Sequence, residues 1–262
     1  MLKAHSLKPN PEKRFPPMGG EDAISALHTP RQNRLLAALP EEDYEPLLPE
    51  LEFVPLPLGL SVHGAGDREK YLYFVTEGIV SRFYMTENGA TAESALAGRE
   101  GVIGIAAFLG GERSPSQAVV LSAGHAYRVE VDRLKSEFKH CGPLQHVLLL
   151  YTQALITQIA QTAVCNRHHS VEQQLCRWLL LCLDRLTSNR LDMIQELIAN
   201  MLGVRREGVT EAAGHLQAAG LIHYCRGHIT VLDRPKLEQR VCECYAVVRK
   251  EMDRLLPDKI TN

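Results

Sequence analysis

Two rhythms of apolar spacing divide the chain near residue 132. Before it, short apolar runs at Leu51–Leu58, Tyr71–Thr76, Ile79–Met85, Val102–Phe108, Gln117–Leu121 and His125–Val131 are separated by glycine-bearing turns. Glu87-Asn88-Gly89 is a hairpin signal, because Asn-Gly readily takes the positive φ values of a type I′ turn. Glu77-Gly78 marks another turn. Short strands joined this way predict a compact antiparallel sandwich or roll. Upstream, residues 1–30 are polar and broken by prolines, which predicts a flexible tail with a short helix near Ala23–Leu27. Arg31–Leu39 reads as a short amphipathic helix, continued by Glu41–Leu48 after Pro40.

Beyond residue 132 the period lengthens. Asp132–His140 predicts one short helix. After Gly142-Pro143 a long one carries Leu144, Val147, Leu148, Tyr151, Leu155, Ile159 and Thr162 at steps of three or four, a stripe about six turns long. This stripe is taken as a dimer seam across a twofold axis; packing onto the chain's own sheet is the alternative. Ser170-Val171-Glu172-Gln173 fits a capping box and opens a helix to about Leu186, with Leu175, Trp178, Leu179, Cys182 and Leu183 inward. Asn166–His169 becomes the hinge.

From Asp192 to Asp233 the pattern is more specific. Asp192 is placed as the cap of a helix Met193–Leu202, ended by Gly203. A second helix, RREGVTEAAGHLQAAG, turns Val209, Ala212, Ala213 and Leu216 inward and Arg205, Arg206, Glu207, Thr210, Glu211 and His215 outward. Two short helices across a glycine turn form a helix-turn-helix, and residues near the start of its second helix reach base edges. Arginine can fork onto guanine and glutamate can accept from cytosine. LIHYCRGHITVLD then alternates and turns at Arg226-Gly227, which predicts a hairpin wing with Arg226 and His228 near the phosphate backbone.

Composition narrows the class. The 262 residues suit two domains, and 45% hydrophobic with 23% charged residues is globular usage. Net charge is −2, with roughly 14 Lys+Arg against 12 Asp+Glu from residue 166 onward; a local basic face suffices for specific DNA binding. The seven cysteines, none before Cys141, make a poor disulfide framework. No uninterrupted apolar run approaches the roughly 20 residues of a membrane span, so no membrane partner and a cytoplasmic site are expected. No Walker loop, metal-ligand helix motif or nucleophile elbow is present, and the chain is not expected to be an enzyme.

QELIANMLGVRREGVTEAAGHLQAAGLI and GREGVIGIAAFLGGERSPSQAVV resemble the Crp-Fnr superfamily, the relatives of the cyclic AMP receptor protein, over roughly residues 33–233. The resemblance implies an α+β chain: a cyclic-nucleotide-binding-like β-roll (double-stranded β-helix), a long dimerisation helix and a C-terminal winged helix-turn-helix. It further implies a homodimer on near-palindromic double-stranded DNA and contact with RNA polymerase. The divisions are residues 1–30 (tail), 31–140 (sensor), 141–166 (dimerisation helix) and 167–262 (DNA-binding domain with an extra helix). Arg206 and Glu207 match base-reading positions, whereas Glu211 stands where many members carry arginine. The effector pocket is placed around Gly98, Gly104, Ile105, Arg113, Ser114 and Ser116. Nucleotide-binding members have Gly-Glu, then Arg-Ser or Arg-Thr, with the Glu holding the ribose. Here Ile105 follows Gly104, so another effector or none is expected, and no cofactor. The alternative is a small-molecule-binding signalling module acting through protein contacts.

Remaining candidates have plainer readings. No cysteine precedes Cys141, against the iron–sulfur arrangement of some members; His63, His125, His140 and His146 are read as structural or solvated rather than haem ligands. His168-His169 is read as a solvated turn. Cys242 and Cys244 fall in one predicted helix, Pro235–Leu256, where positions two apart do not share a face, so no metal is expected there. Redox sensing by Cys141, Cys165 or Cys225 is a minor alternative. The C-terminal helix carries Val241, Cys244, Tyr245, Val248, Met252 and Leu255 as its stripe, and its docking surface is left open.

Overall fold

The computed structural model describes residues 28–111, 113–139 and 141–257. The predicted tail helix near Ala23–Leu27 and His140 lie outside them. Helix α1 (Arg34–Ala37) is capped by the buried Asn33, whose Oδ1 accepts from the amides of Leu35 and Leu36. The Asn33 amide donates to the carbonyls of Val75 (2.8 Å) and Gly101 (2.9 Å), pinning α1 to the sheet. Helix α2 (Glu41–Tyr44) and a 3-10 turn (Glu45–Glu50) follow.

The N-terminal part is a six-stranded antiparallel sheet: β1 (Glu52–Leu56), β2 (Ser61–His63), β3 (Tyr71–Met85), β4 (Thr91–Ala97), β5 (Val102–Ile103) and β6 (Gln117–Glu130). The main order is β1-β6-β3-β4, with β2 on β6 and β5 on β3. Runs that the glycines were expected to separate are continuous. Glu77-Gly78 is a bulge within β3, and β6 runs unbroken through Gly124. Gly78 takes φ +88°, and a Cβ there would sit 2.5 Å from the Ser122 carbonyl; one on Gly124 would sit 2.1 Å from that of Glu77. The two glycines let strands of 15 and 14 residues cross-bend against each other. The expected hairpin forms at Asn88-Gly89, but its turn is not type I′: Gly89 takes φ +85° while Asn88 stays out of the left-handed region, and the loop closes with the Thr86 N–H donating to the Ala90 carbonyl. Val102–Phe108 is instead a two-residue strand followed by a 3-10 turn.

Helix α3 (Val131–Lys139) leads to α4 (Pro143–His168), and α5 (Val171–Leu183) opens on the capping box at Ser170. The dimer-seam expectation needs correction. Leu144, Val147, Leu148, Tyr151 and Leu155 are buried within the chain against α1 and the sheet, and the Tyr151 hydroxyl donates to the Val102 carbonyl. Of the six seam residues only Ile159 is exposed. The strongest stripe faces its own domain because the sheet supplies the larger apolar surface. By length and hydropathy alone α4 could cross a membrane; it is not an uninterrupted apolar run, because Gln and Thr are interspersed.

The C-terminal part comprises β7 (Arg190–Asp192), α6 (Gln195–Leu202), α7 (Arg206–Ala218), β8 (Ile222–Cys225), β9 (His228–Val231), α8 (Arg234–Arg240) and α9 (Glu243–Leu255). The predicted single helix Pro235–Leu256 is two, because Val241 and Cys242 are extended (ψ 153° and 162°). Helix α9 packs its Cys244, Tyr245, Val248 and Met252 side against α4 and α5 of its own chain.

One core crosses the domain boundary: Ile79, Phe83, Leu96 and Leu121 of the sheet pack with Leu175, Trp178 and Leu179 of α5 and Met201 of α6. At its centre Glu93 accepts from Ser81 Oγ (2.6 Å) and Trp178 Nε1 (3.1 Å). Burial pushes the Glu93 carboxyl up to about 7, against the opposing pull of Ser81, Arg177 and Trp178. Nearby, Arg185 ion-pairs with Glu100 at 2.7 Å and donates to the Leu96 carbonyl and to Gln158.

Candidate nucleic-acid interface and sensor cavity

Gly203 ends α6 in the left-handed region (φ +66°), which turns the chain into α7. Val209, Ala212, Ala213 and Leu216 form the buried side of α7. Two alanines there let α6 and α7 cross closely. Arg205 occupies the N-cap without a side-chain cap, so no N-cap side chain takes up the first amides of α7; the Gly208 amide donates to the Arg205 carbonyl (3.1 Å). Arg205, Arg206, Glu207, Thr210 and Glu211 are all exposed. Thr210 Oγ1 bonds to Gln195 Oε1 (2.8 Å) at the start of α6, tying the two helices together. His215 is a correction: at 100° per residue it stands opposite Arg206, and its Nδ1 lies 3.3 Å from Glu172 of α5. It belongs to the flank that faces α5.

The wing is a three-stranded sheet in the order β7-β9-β8. Arg226 (φ +48°) and Gly227 (φ +82°) form its two-residue turn, the double positive φ of type I′. Arg226 is exposed at the tip. Asp192 is not the cap of α6; that position is Ile194. Asp192 instead accepts from Arg190 Nε (2.9 Å) and lies 2.6 Å from His228 Nδ1. The Arg190 guanidinium, then His228, holds the Asp192 carboxyl below its usual range. His228 is thus engaged in a local cluster. Sequence reasoning missed Arg190, whose signal was the alternation of Arg190 and Asp192 around the inward Leu191.

The proposed effector residues do not converge. Gly104 takes φ +104°, and a Cβ there would lie 2.3 Å from the Tyr71 carbonyl. It lines a cavity of about 350 Å³ with His63, Asp67, Glu69, Tyr71 and Tyr73. Ile105 points away into the core with Leu72 and Leu134. Arg113 is exposed and donates to the Gly66 carbonyl (2.8 Å). Ser114 and Ser116 are buried and bond to each other at 2.7 Å. Gly98 lies under the stem of Arg185, 2.7 Å from a would-be Cβ. The cavity wall instead carries His63 Nε2 and Glu69 Oε1, both buried and 3.6 Å apart. Burial lowers the His63 pKa, against the raising pull of Glu69. Of the remaining histidines considered as haem ligands, His125 pairs with Glu77 (3.1 Å) and His146 is exposed on α4, so the described candidates do not share one site.

Residues 54–141 match the cyclic nucleotide-binding domain family, and residues 173–240 match the Crp-like helix-turn-helix domain. The chain belongs to the Crp-Fnr superfamily. The fold agrees. FixK2 from Bradyrhizobium japonicum superposes with a TM-score of 0.64 at 16% identity, over 73% of this chain and 98% of that one. A transcriptional regulator of the Crp/Fnr family from Eubacterium rectale also superposes at 0.64, with 18% identity over 79% and 96%. The global nitrogen regulator of Synechococcus elongatus is 26% identical over 195 residues, 70% of this chain and 86% of that protein. As a Crp-Fnr member the chain is a DNA-binding transcription regulator, and α7 is the second helix of its helix-turn-helix.

Proposed function

We propose that the protein acts as a homodimer that reads near-palindromic promoter DNA through α7 and engages RNA polymerase. The observation that carries this is the exposed start of α7, where Arg206 and Glu207 stand at a helix N-terminus with no side-chain cap. Such a terminus takes a phosphate while adjacent side chains reach base edges. Arg205 and Thr210 flank the reading positions, and Glu211 projects from the same helix. The dimer seam is assigned to the outer face of α4. Leu149, Gln153, Ile156, Ala160, Ala163 and Arg167 follow a heptad and are all exposed.

The effector is not a cyclic nucleotide in this reading. The position that would hold the ribose is Ile105, packed in the core, and Arg113 is turned to Gly66. The cavity wall carries both signs of charge, Asp67 and Glu69 beside Arg68 and Lys70, so the argument against a cyclic nucleotide rests on the missing ribose acceptor and the engaged Arg113. No resident cofactor is required in this reading.

Arg206→Ala is expected to lose about 1–3 kcal/mol on the selected site and to relax base preference at one position. Selection of bound duplexes from a random pool, followed by titration of each variant, checks this. Equal losses on selected and random duplexes would remove Arg206 from base reading.

A further inference from the structure

Four potential metal donors from two distant parts of the chain meet at the hinge. Cys165 sits in the last turn of α4 and His169 caps that helix, four residues on. Cys242 is the N-cap of α9 and Cys244 lies in its first turn. Their donor atoms all fall within 4.8 Å of one another. Cys165 Sγ and Cys242 Sγ are 3.6 Å apart, and Cys244 Sγ and His169 Nδ1 are also 3.6 Å apart. A tetrahedral zinc ion, with bonds of about 2.3 Å to sulfur and 2.0–2.1 Å to nitrogen, needs donor separations of roughly 3.5–3.8 Å.

The surroundings fit as well. All three cysteines are buried, at 0%, 3% and 0% exposure. The other ring nitrogen of His169, Nε2, lies 3.3 Å from Glu243 Oε1. A zinc-bound histidine almost always donates its second N–H to such a carboxylate. The buried Arg177 guanidinium acts electrostatically on Cys165 and Cys244, and its Nε has no hydrogen-bond partner among the described residues. Three thiolates on a divalent ion carry a net negative charge that this cation offsets. The objection that residues two apart on a helix diverge does not apply. Cys242 is extended (φ −71°, ψ 162°), so its side chain is free of the helical period.

We propose that Cys165, His169, Cys242 and Cys244 form a structural zinc site that staples α9 to the end of α4. Binding displaces three thiol protons to solvent and takes up one Zn²⁺ without any redox change. Four protein donors leave no open position, so the site is structural rather than catalytic. It fixes the junction where the sensor's long helix hands over to the DNA-binding part.

The full chain, purified without chelator from zinc-supplemented cells, should contain one zinc per chain by elemental analysis. Cys165→Ser and His169→Ala should lower this at least tenfold, whereas Cys225→Ser, at the wing, should not. Reconstitution of chelator-stripped protein with Co²⁺ should give a thiolate charge-transfer band and strong tetrahedral d–d bands. His169→Cys should keep the metal and shift those bands, a readout that a merely misfolded variant does not produce. Three outcomes would overturn the site: metal-free protein that takes up neither Zn²⁺ nor Co²⁺; a Cys165–Cys242 disulfide in non-reducing peptide maps; or bound iron with labile sulfide.

Discussion

Glu93 is the residue whose chemistry reaches furthest. Its carboxyl is held between the sheet and α5 by Ser81 and Trp178, and burial raises its pKa to about 7 from the usual 4.5. A carboxyl raised in the folded state binds more protons than the unfolded chain between those two values. Stability conferred by Glu93 is therefore greatest below about pH 4.5, falls as pH rises to about 7 and then levels off. The full shift corresponds to roughly 3 kcal/mol as an upper figure. Urea unfolding from pH 5 to pH 8 should show that decline, and Glu93→Gln should flatten it. A parallel pH profile in both proteins would show that the carboxylate is solvated. Arg226 supplies a second test at this scale. Its exposed place on the wing tip predicts that Arg226→Ala weakens binding evenly across sequences and reduces the salt slope by about one. Loss confined to one sequence would make it a base reader.

Among the elements, α4 separates what periodicity reveals from what it conceals. The three-to-four spacing of Leu144, Val147, Leu148, Tyr151 and Leu155 located a buried face correctly, yet spacing carries no information about the surface covering it. The weaker heptad of Leu149, Ile156 and Ala163, interleaved with Gln153 and Ala160, was invisible beside it. Ile156→Glu should convert the protein to a monomer without lowering its melting temperature much. Leu148→Ala should instead cost about 2–5 kcal/mol in unfolding. Sedimentation and thermal unfolding of both variants separate the two faces, and a dimeric Ile156→Glu protein would reject this seam. The helix-turn-helix was more legible because its glycine turn, inner alanines and wing occur in fixed order over a few dozen residues. The cavity beside Gly104 was hardly legible. Gly104 was singled out for a glycine motif, but the long-range folding of β2, β3 and β5 decides which neighbours line the space. The convergence of Cys165 with Cys242 was hidden for the same reason. It needed the break at Val241 and the return of α9 onto α4.

For the whole molecule, the joint between the sheet domain and the helix-turn-helix domain is more consequential than either part. Aromatic and aliphatic side chains from β3, β4 and β6 interlock with α5 and α6, and polar ties such as Arg185 to Glu100 run alongside. Nothing there resembles a flexible leash. Calorimetry should accordingly record one cooperative endotherm for the protomer; two separated endotherms would show that the halves fold independently. A sheet welded to a reading head also has little freedom to signal by swinging it. In the proposed dimer, a ligand in the pocket would have to act by tilting each protomer as a rigid lever, changing the gap between the two α7 helices and hence which grooves they can enter together.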